Sequence, residues 1–347
     1  MVQKILIEKQ NQKIKIGGFL MKKIILLIIF FSSVIIFCGD KQTKEKIFVY
    51  KGNPLVRYMF TADPSARVFG DRLYVYTSHD EDTADVNQHF LMNNWHVFST
   101  SDMINWTGHG EIFSLNDISW TKKQAWAPDC VQRSGKYYFY FPVEQKKIGV
   151  AVGDSPIGPF KDAIGKPLID NTNNEKVVGR EPIDPALLID DDGQAYMYFG
   201  CRDARVVKLK ENMVELDGDI QPVIINGIEG HKENNDGFYG EAPWIFKRNG
   251  IYYFVYSNGW APQSTIIYAM GKNPLGPFDY VGEVMSPVEA GTSHASIVEF
   301  KGKWYIFYHN NVLSDNGKRR SVCFDEITFA PDGKINRLIY KKPLDIK

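Results

Sequence analysis

"EAPWIFKRNGIYYFVYS" occupies residues 241–257, and its reading decides the fold. Trp244 to Phe246 run in as a short strand, Lys247 to Gly250 supply the turn, and Ile251 to Tyr256 run out as an aromatic strand. Aromatic and β-branched residues around a Gly-containing turn favour a hairpin. In front stands Glu241, a carboxylate at the mouth of an otherwise apolar hairpin. One copy gives no reason for a charge there, but the pattern recurs.

"DPSARVFGDRLYVYTS" begins at Asp63, "DCVQRSGKYYFYF" at Asp129, "DPALLIDDDGQAYMYFG" at Asp184 and "HASIVEFKGKWYIFYHN" at His294. Each has a polar lead residue, a short strand, a Gly- or Asp-containing turn and an aromatic strand. The five starts lie 53 to 66 residues apart. A further strand and turn follow each copy, as in "HVFSTSDMINW" (96–106) and "TIIYAMGKNPLGPF" (265–278). Four strands per unit, five times over, predicts an all-β, five-bladed β-propeller with four-stranded antiparallel blades around a central channel. A β-sandwich does not repeat at this period, and no long stretch has the helical periodicity of an α/β fold.

The first strand of each propeller blade lines the channel. The lead residues Asp63, Asp129, Asp184, Glu241 and His294 are therefore expected together at one channel mouth. Taken singly, each has a plainer reading: Asp before Pro is a common turn residue, and a lone His is often a satisfied core residue. Together they form a ring of carboxylates whose mutual repulsion and burial raise pKa values, which marks a catalytic or metal-binding site.

The chain has 347 residues, 44% hydrophobic and 14% aromatic, enough for a substantial core. No Gly/Ser- or Pro-rich linker divides it after about residue 50, so residues 50–347 read as a single propeller. Met21-Lys22-Lys23, an apolar run from Ile24 to Phe37 and then Cys38 read as an export leader over residues 1–38. Translation starting at Met21 and a lipid-carrying Cys38 are expected, with residues 39–49 as a tether; Phe37 is bulkier than usual at a lipoprotein cleavage site. Residues 1–37 hold six Lys and one Glu, leaving 35 basic against 40 acidic residues beyond them. No basic stripe suggests nucleic acid. Cys130, Cys201 and Cys323 read as buried thiols rather than a disulfide framework.

Five motifs, "FTADPSARVFGDRLYVYTSHDED", "WAPD", "EPIDPALLIDDDG", "GEAPW" and "GTSHASIVEF", occur in an order and spacing that resembles glycoside hydrolase family 43 from about residue 50 to the C-terminus. The resemblance implies inverting cleavage of arabinose- or xylose-containing polysaccharides. It assigns the general base to Asp63, the general acid to Glu241, and the tuning and orienting of that acid to Asp184. Inversion needs an acid on the leaving oxygen and a base on a water at the opposite face, with carboxyls about 6.5–9.5 Å apart. Trp126, Asp129, Trp260 and Arg320 are expected to bind substrate, with Phe60 and Tyr239 as weaker candidates. The resemblance implies an Arg of this region on the sugar; a strand points neighbours to opposite faces, so only one of Arg319 and Arg320 can point inwards, and Arg320 is favoured. The resemblance also implies a channel calcium near His294, reached through water, with a structural or tuning role; the hydrolysis itself requires no cofactor.

The expected partner is an oligosaccharide or polysaccharide, with membrane contact only through the lipid anchor. The segments 79–96 and 227–240 are expected to close the pocket. An exo-acting α-L-arabinofuranosidase with β-D-xylosidase activity is the favoured reading. A galactan-directed enzyme, a retaining fructan-type enzyme with carboxyls about 5–5.5 Å apart, and a non-catalytic glycan-binding propeller stay open. Oligomeric state is not legible.

Overall fold

The computed structural model describes residues 45–83, 89–173, 175–229, 237–260, 264–285 and 289–340. The expected leader over 1–38, with Cys38, lies outside the described residues, as does part of the 39–49 tether. The compact unit that carries the site runs over Thr43–Lys347.

Five hairpins meet at the centre: Phe60–Phe69 with Arg72–Asp80, Asp129–Arg133 with Lys136–Val143, Ala186–Ile189 with Ala195–Phe199, Glu241–Arg248 with Ile251–Ser257, and Ser296–Phe300 with Lys303–Asn310. Each extends outward into its own sheet, giving five blades. Three hairpins turn on two residues that both have positive φ, Ser134-Gly135, Asn249-Gly250 and Lys301-Gly302. Such turns match the right-handed twist of paired strands. The turn expected over 247–250 is shorter than that: Lys247 and Arg248 still pair with Tyr252 and Ile251, leaving only Asn249 and Gly250 unpaired.

Strand number varies around the ring rather than staying at four. Blade one has five, because Lys46–Val49 pairs with its outer strand Asn105–Ser114. Blades two and four also have five, blade three has four, and blade five has three among the described residues. The open edge of blade five is covered from the other end of the chain. Leu55 N–H donates to Val322 O at 2.7 Å and Thr61 N–H to Arg320 O at 2.9 Å. Asn53 accepts from Phe324 N–H and donates to Phe324 O, both at 3.0 Å. Residues 53–61 thus run along the last strand, Ser321–Ile327, and close the ring.

The blades pack on one another through rings. Trp106 of blade one lies against Phe307 and Phe324 of blade five. Trp95 lies against Phe139 and Phe141 of blade two. Fully burying such a side chain contributes roughly 1.5–3 kcal/mol.

The hairpin registers correct the expected ring of lead residues. Ser65, Asp129, Trp244 and Ser296 each sit four residues before the last paired residue ahead of the turn, opposite Tyr76, Tyr140, Val255 and Phe307. Counting two further back gives Asp63, Ala127, Ala242 and His294. Asp184 joins this level, because Asp184-Pro185 repeats Asp63-Pro64 with φ of 55° against 52°. Glu241 is one residue nearer the mouth. Asp129 is two residues deeper, which on a strand is about 7 Å.

Candidate active site

Asp63, Asp184 and Ala242 share an unusual backbone. All three have φ between 52° and 59°, and each precedes a Pro. In blades one and four the pairing register breaks at this point, between Ala62 and Ser65 and between Glu241 and Trp244. A bulge bends the strand and re-aims a side chain, and here it directs the carboxylates into the channel mouth. Gly240, just ahead of Glu241, runs against the neighbouring chain: a Cβ there would lie 2.5 Å from Gly259 N. The result is a cavity of about 430 Å³ whose lining includes Asp63, Asp184, Glu241, Trp126, Trp260 and Arg320.

Asp63 is 5% exposed and surrounded by donors. Arg320 Nη1 donates to its Oδ1 at 2.7 Å and Ser78 Oγ to its Oδ2 at 2.6 Å. Burial alone raises the Asp63 pKa, but the Arg320 guanidinium, with the Ser78 hydroxyl, outweighs it and holds the value at about 2. Asp63 is therefore an ionised carboxylate at any working pH.

Asp184 and Glu241 are pushed the other way. Burial and then repulsion from Asp63 raise Glu241 to about 8, against the lowering effects of Trp260 and Arg320. Burial and then repulsion from Glu241 raise Asp184 well above the ordinary carboxylate range. The two titrate as a pair, and near neutral pH the pair retains a proton. Ala242 N–H donates to Asp184 Oδ2 at 3.0 Å, and Trp260 Nε1–H donates to Glu241 Oε2 at 3.1 Å. One carboxylate held charged beside a pair held protonated is the division that acid–base chemistry needs.

Comparison with known proteins gives the family. The profile described as "Glycosyl hydrolases family 43" matches residues 51–335. The chain belongs to glycoside hydrolase family 43. It is 37% identical over 331 residues to a xylosidase/arabinosidase 43A of Humicola insolens, covering 81% of this chain and 98% of that one. It is 37% identical over 318 residues to a xylosidase/arabinosidase of Bacteroides ovatus, covering 80% and 94%. A solved β-xylosidase/α-arabinofuranosidase from a compost microbial metagenome, described as a complex with xylotriose in a calcium-free form, superposes with a TM-score of 0.75 at 36% identity, covering 85% of this chain and 99% of that one. Membership makes this chain a glycosidase with the five-bladed fold.

Of the expected substrate-binding residues, Trp126 and Trp260 line the cavity of this family 43 enzyme. Asp129 does not. It is fully buried, accepting from Ser65 Oγ at 2.6 Å, Cys130 N–H and Leu187 N–H at 2.7 Å, and Arg67 Nε at 2.8 Å. Its carboxylate is saturated, so it braces blades one, two and three below the pocket instead of meeting a sugar. Arg320 lines the cavity, yet its five N–H donors are all matched: Nε and Nη2 to Asp80 at 2.9 Å, Nη1 to Asp63 at 2.7 Å and Thr292 Oγ1 at 3.1 Å, and Nη2 to Asp63 at 3.3 Å. It anchors the Asp63 charge rather than offering a free fork to sugar.

Phe60 lies under the Arg319 guanidinium at 5.6 Å. Tyr239 is buried and donates to Gly200 O at 2.7 Å, so it packs behind the pocket. The described part of 79–96 supplies His89, Phe90 and Met92 to the cavity wall; half of the 227–240 segment, residues 230–236, lies outside the described residues.

Sequence reasoning passed over Asp80, His309, Glu181 and Arg202. Asp80 is fully buried and also accepts Arg320 N–H at 2.7 Å. Arg202 lies over the Trp260 ring at 4.4 Å and pairs with Glu181 at 3.5 Å. A signal existed for Asp80 and His309: polar residues ending otherwise aromatic second strands.

The expected calcium was tested against the donors present. Calcium takes six to eight oxygens. Burial pushes His294 down to about 4, leaving a neutral imidazole that offers nitrogen. The carboxylates nearest it are already matched by guanidinium groups, Asp63 by Arg320 and Asp129 by Arg67. Among the described residues no group of three His, Cys, Asp or Glu is placed to hold a metal ion. Direct protein coordination of calcium does not fit; contact through water is what the His294 imidazole leaves available. Cys130, Cys201 and Cys323 are buried free thiols, as expected.

Proposed function

We propose that this enzyme is an inverting, exo-acting glycosidase that releases α-L-arabinofuranosyl and β-D-xylosyl units from plant cell-wall oligosaccharides. The observation that carries this is the opposed charge state of the carboxylates in one cavity: Asp63 held at about 2 by Arg320, Glu241 raised to about 8 by burial and Asp63. Asp63, always ionised, takes a proton from the attacking water. Glu241, protonated near neutral pH, gives its proton to the leaving oxygen. Asp184, beside it, titrates with it as one pair, so that repulsion between the two favours keeping a proton on the pair near neutral pH. After one turnover Asp63 carries the proton and Glu241 is ionised, and exchange with solvent resets both.

The Trp126 and Trp260 rings supply apolar faces for sugar rings. The 430 Å³ cavity, walled by Phe90 and Met92 and floored by the Asp63–Arg320–Asp80 cluster, supports action at a chain end. The xylosidase/arabinosidase relatives support the two sugars. Export as a lipoprotein through Cys38 belongs to the same proposal, since wall polysaccharide lies outside the cell. The test is hydrolysis of aryl α-L-arabinofuranoside and aryl β-D-xyloside, with the first-formed anomer followed by proton NMR. Release of the inverted sugar is expected; the retained anomer would refute the roles, and release from neither would refute the substrate class.

A further inference from the structure

The bulge that aims Asp63 leaves a backbone donor with no partner in its own sheet. Residues 63 and 64 fall in the register break between the Ala62–Ser78 and Ser65–Tyr76 pairs. Pro64 has no N–H, but Asp63 does. Its φ of 52° lies in the left-handed region, which costs a non-Gly residue free energy unless neighbours hold it. The equivalent position in blade four shows where such a donor points. Ala242 N–H, at φ 59°, reaches back to blade three and donates to Asp184 at 3.0 Å. In blade one the same N–H reaches back to blade five and donates to His309 Nδ1 at 3.1 Å.

This fixes the state of His309. To accept the Asp63 N–H, Nδ1 must carry a lone pair. Its other nitrogen, Nε2, lies 2.9 Å from Thr292 O, a pure acceptor, so Nε2 carries the proton. The ring is 0% exposed. Burial first, and then the Arg320 charge, push its pKa down to about 3, which agrees with the neutral form. It touches the base only through the backbone bond and a 3.5 Å approach of Nδ1 to Asp63 Oδ1.

We propose that His309 is the positioning residue of the base: its neutral imidazole accepts the Asp63 N–H, locks the left-handed bulge and so sets the direction of the Asp63 carboxylate. The inference rests on Asp63 being the base. It assigns His309 no proton transfer in the reaction. Its effect is on kcat, because a base displaced by about 1 Å costs on the order of 10²-fold while sugar binding is largely kept.

Two substitutions divide the ring into its halves. His309→Asn retains an acceptor at the δ position and gives up the contact to Thr292 O. His309→Gln retains a donor at the ε position and gives up the δ acceptor. The expected result is that His309→Gln loses about 10²-fold in kcat with KM changed by less than about threefold, and that His309→Asn recovers most of it. That loss should be equal for aryl substrates with good and poor leaving groups, because the acid is untouched. Kinetics are referred to folded protein measured by thermal unfolding. His309→Gln equal to or better than His309→Asn would overturn the proposal, as would a loss confined to poor leaving groups. In the unmodified protein, the nitrogen-15 shifts of His309 must show a bare Nδ1; a protonated Nδ1 would also overturn it, whether or not the variants fold. Asp63→Asn is run alongside. If it stays active, the reading of Asp63 as base fails; if it is inactive and His309→Gln is not impaired, only the inference about His309 fails.

Discussion

Replacing Trp260 by Phe removes the hydrogen bond that its Nε1–H donates to Glu241 and keeps an aromatic ring at the pocket. Trp260 Nε1–H donates to Glu241 Oε2 at 3.1 Å, and the ring of Phe keeps an aromatic face for the Arg202 guanidinium, now 4.4 Å from the indole. The sign follows from the acceptor. An ionised carboxylate accepts this bond more strongly than a neutral one, so Trp260 lowers the Glu241 pKa from where burial would put it. Bonds to charged groups contribute about 1.5–3 kcal/mol and bonds between neutral groups about 0.5–1.5. The difference, about 1–1.5 kcal/mol, is about one pK unit. Glu241 stands at about 8 in the intact protein, and in Trp260→Phe the alkaline limb of kcat/KM is expected to move up by about one unit. The assay is the pH profile of kcat/KM on an aryl xyloside between about pH 5 and 10, fitted with the limb assigned to the Asp184–Glu241 pair. A limb that stays put or moves down would refute the argument: either Trp260 does not hold the ionised acid, or Glu241 is not the group that titrates.

Glu241→Gln should abolish release from natural glycosides but spare substrates with good leaving groups, the contrast being on the order of 10²–10⁴; equal loss on both would remove Glu241 from the role of acid. Asp63 links activity to stability. Its folded pKa is lowered from 3.8 to about 2, so it stabilises the fold above pH 3.8, and that contribution disappears as pH falls through about 2. The amount is about 2 kcal/mol; urea midpoints measured across that window should fall steeply for the native chain and less so for Asp63→Asn. Asp129→Asn should destabilise the protein by about 3 kcal/mol, because it leaves the partly buried Arg67 against a neutral partner, while kcat/KM of the folded fraction stays near native. A large loss of kcat/KM without loss of stability would put Asp129 back at the sugar.

The fold was legible because each blade repeats one message: a turn between short strands rich in aromatics. Asp63, Asp184 and Glu241 were legible because Asp-Pro and Glu-Ala-Pro stand at the head of those repeats. Their relative heights were not. Aligning the repeats by their lead residues placed Asp129 and Glu241 level with Asp63, but hairpin pairing shows one two residues deeper and the other one residue higher. Sequence similarity cannot see a bulge, and a bulge changes which residue reaches the cavity. Asp80, His309 and Arg320 were harder still. They act through pairings between the first and last blades, and nothing local marks which buried polar residues will meet across 240 or more positions of chain, as Arg320 meets Asp80.

The closure of the ring by residues 53–61 against the last strand has a consequence for when the protein becomes an enzyme. Asp63 is made early in synthesis, and its guanidinium partner is 257 residues later. A nascent or partly threaded chain, with four blades formed and the fifth still absent, carries Asp63 without the cation that keeps it ionised once buried and without the imidazole that accepts its backbone N–H. Catalytic competence is thus a property of the closed circle and of no blade or arc of it. The last strand to emerge, Ser321–Ile327 with Arg320 just ahead of it, completes the circle, and a chain cut short before Arg320 is expected to be inactive, however well its earlier blades have folded.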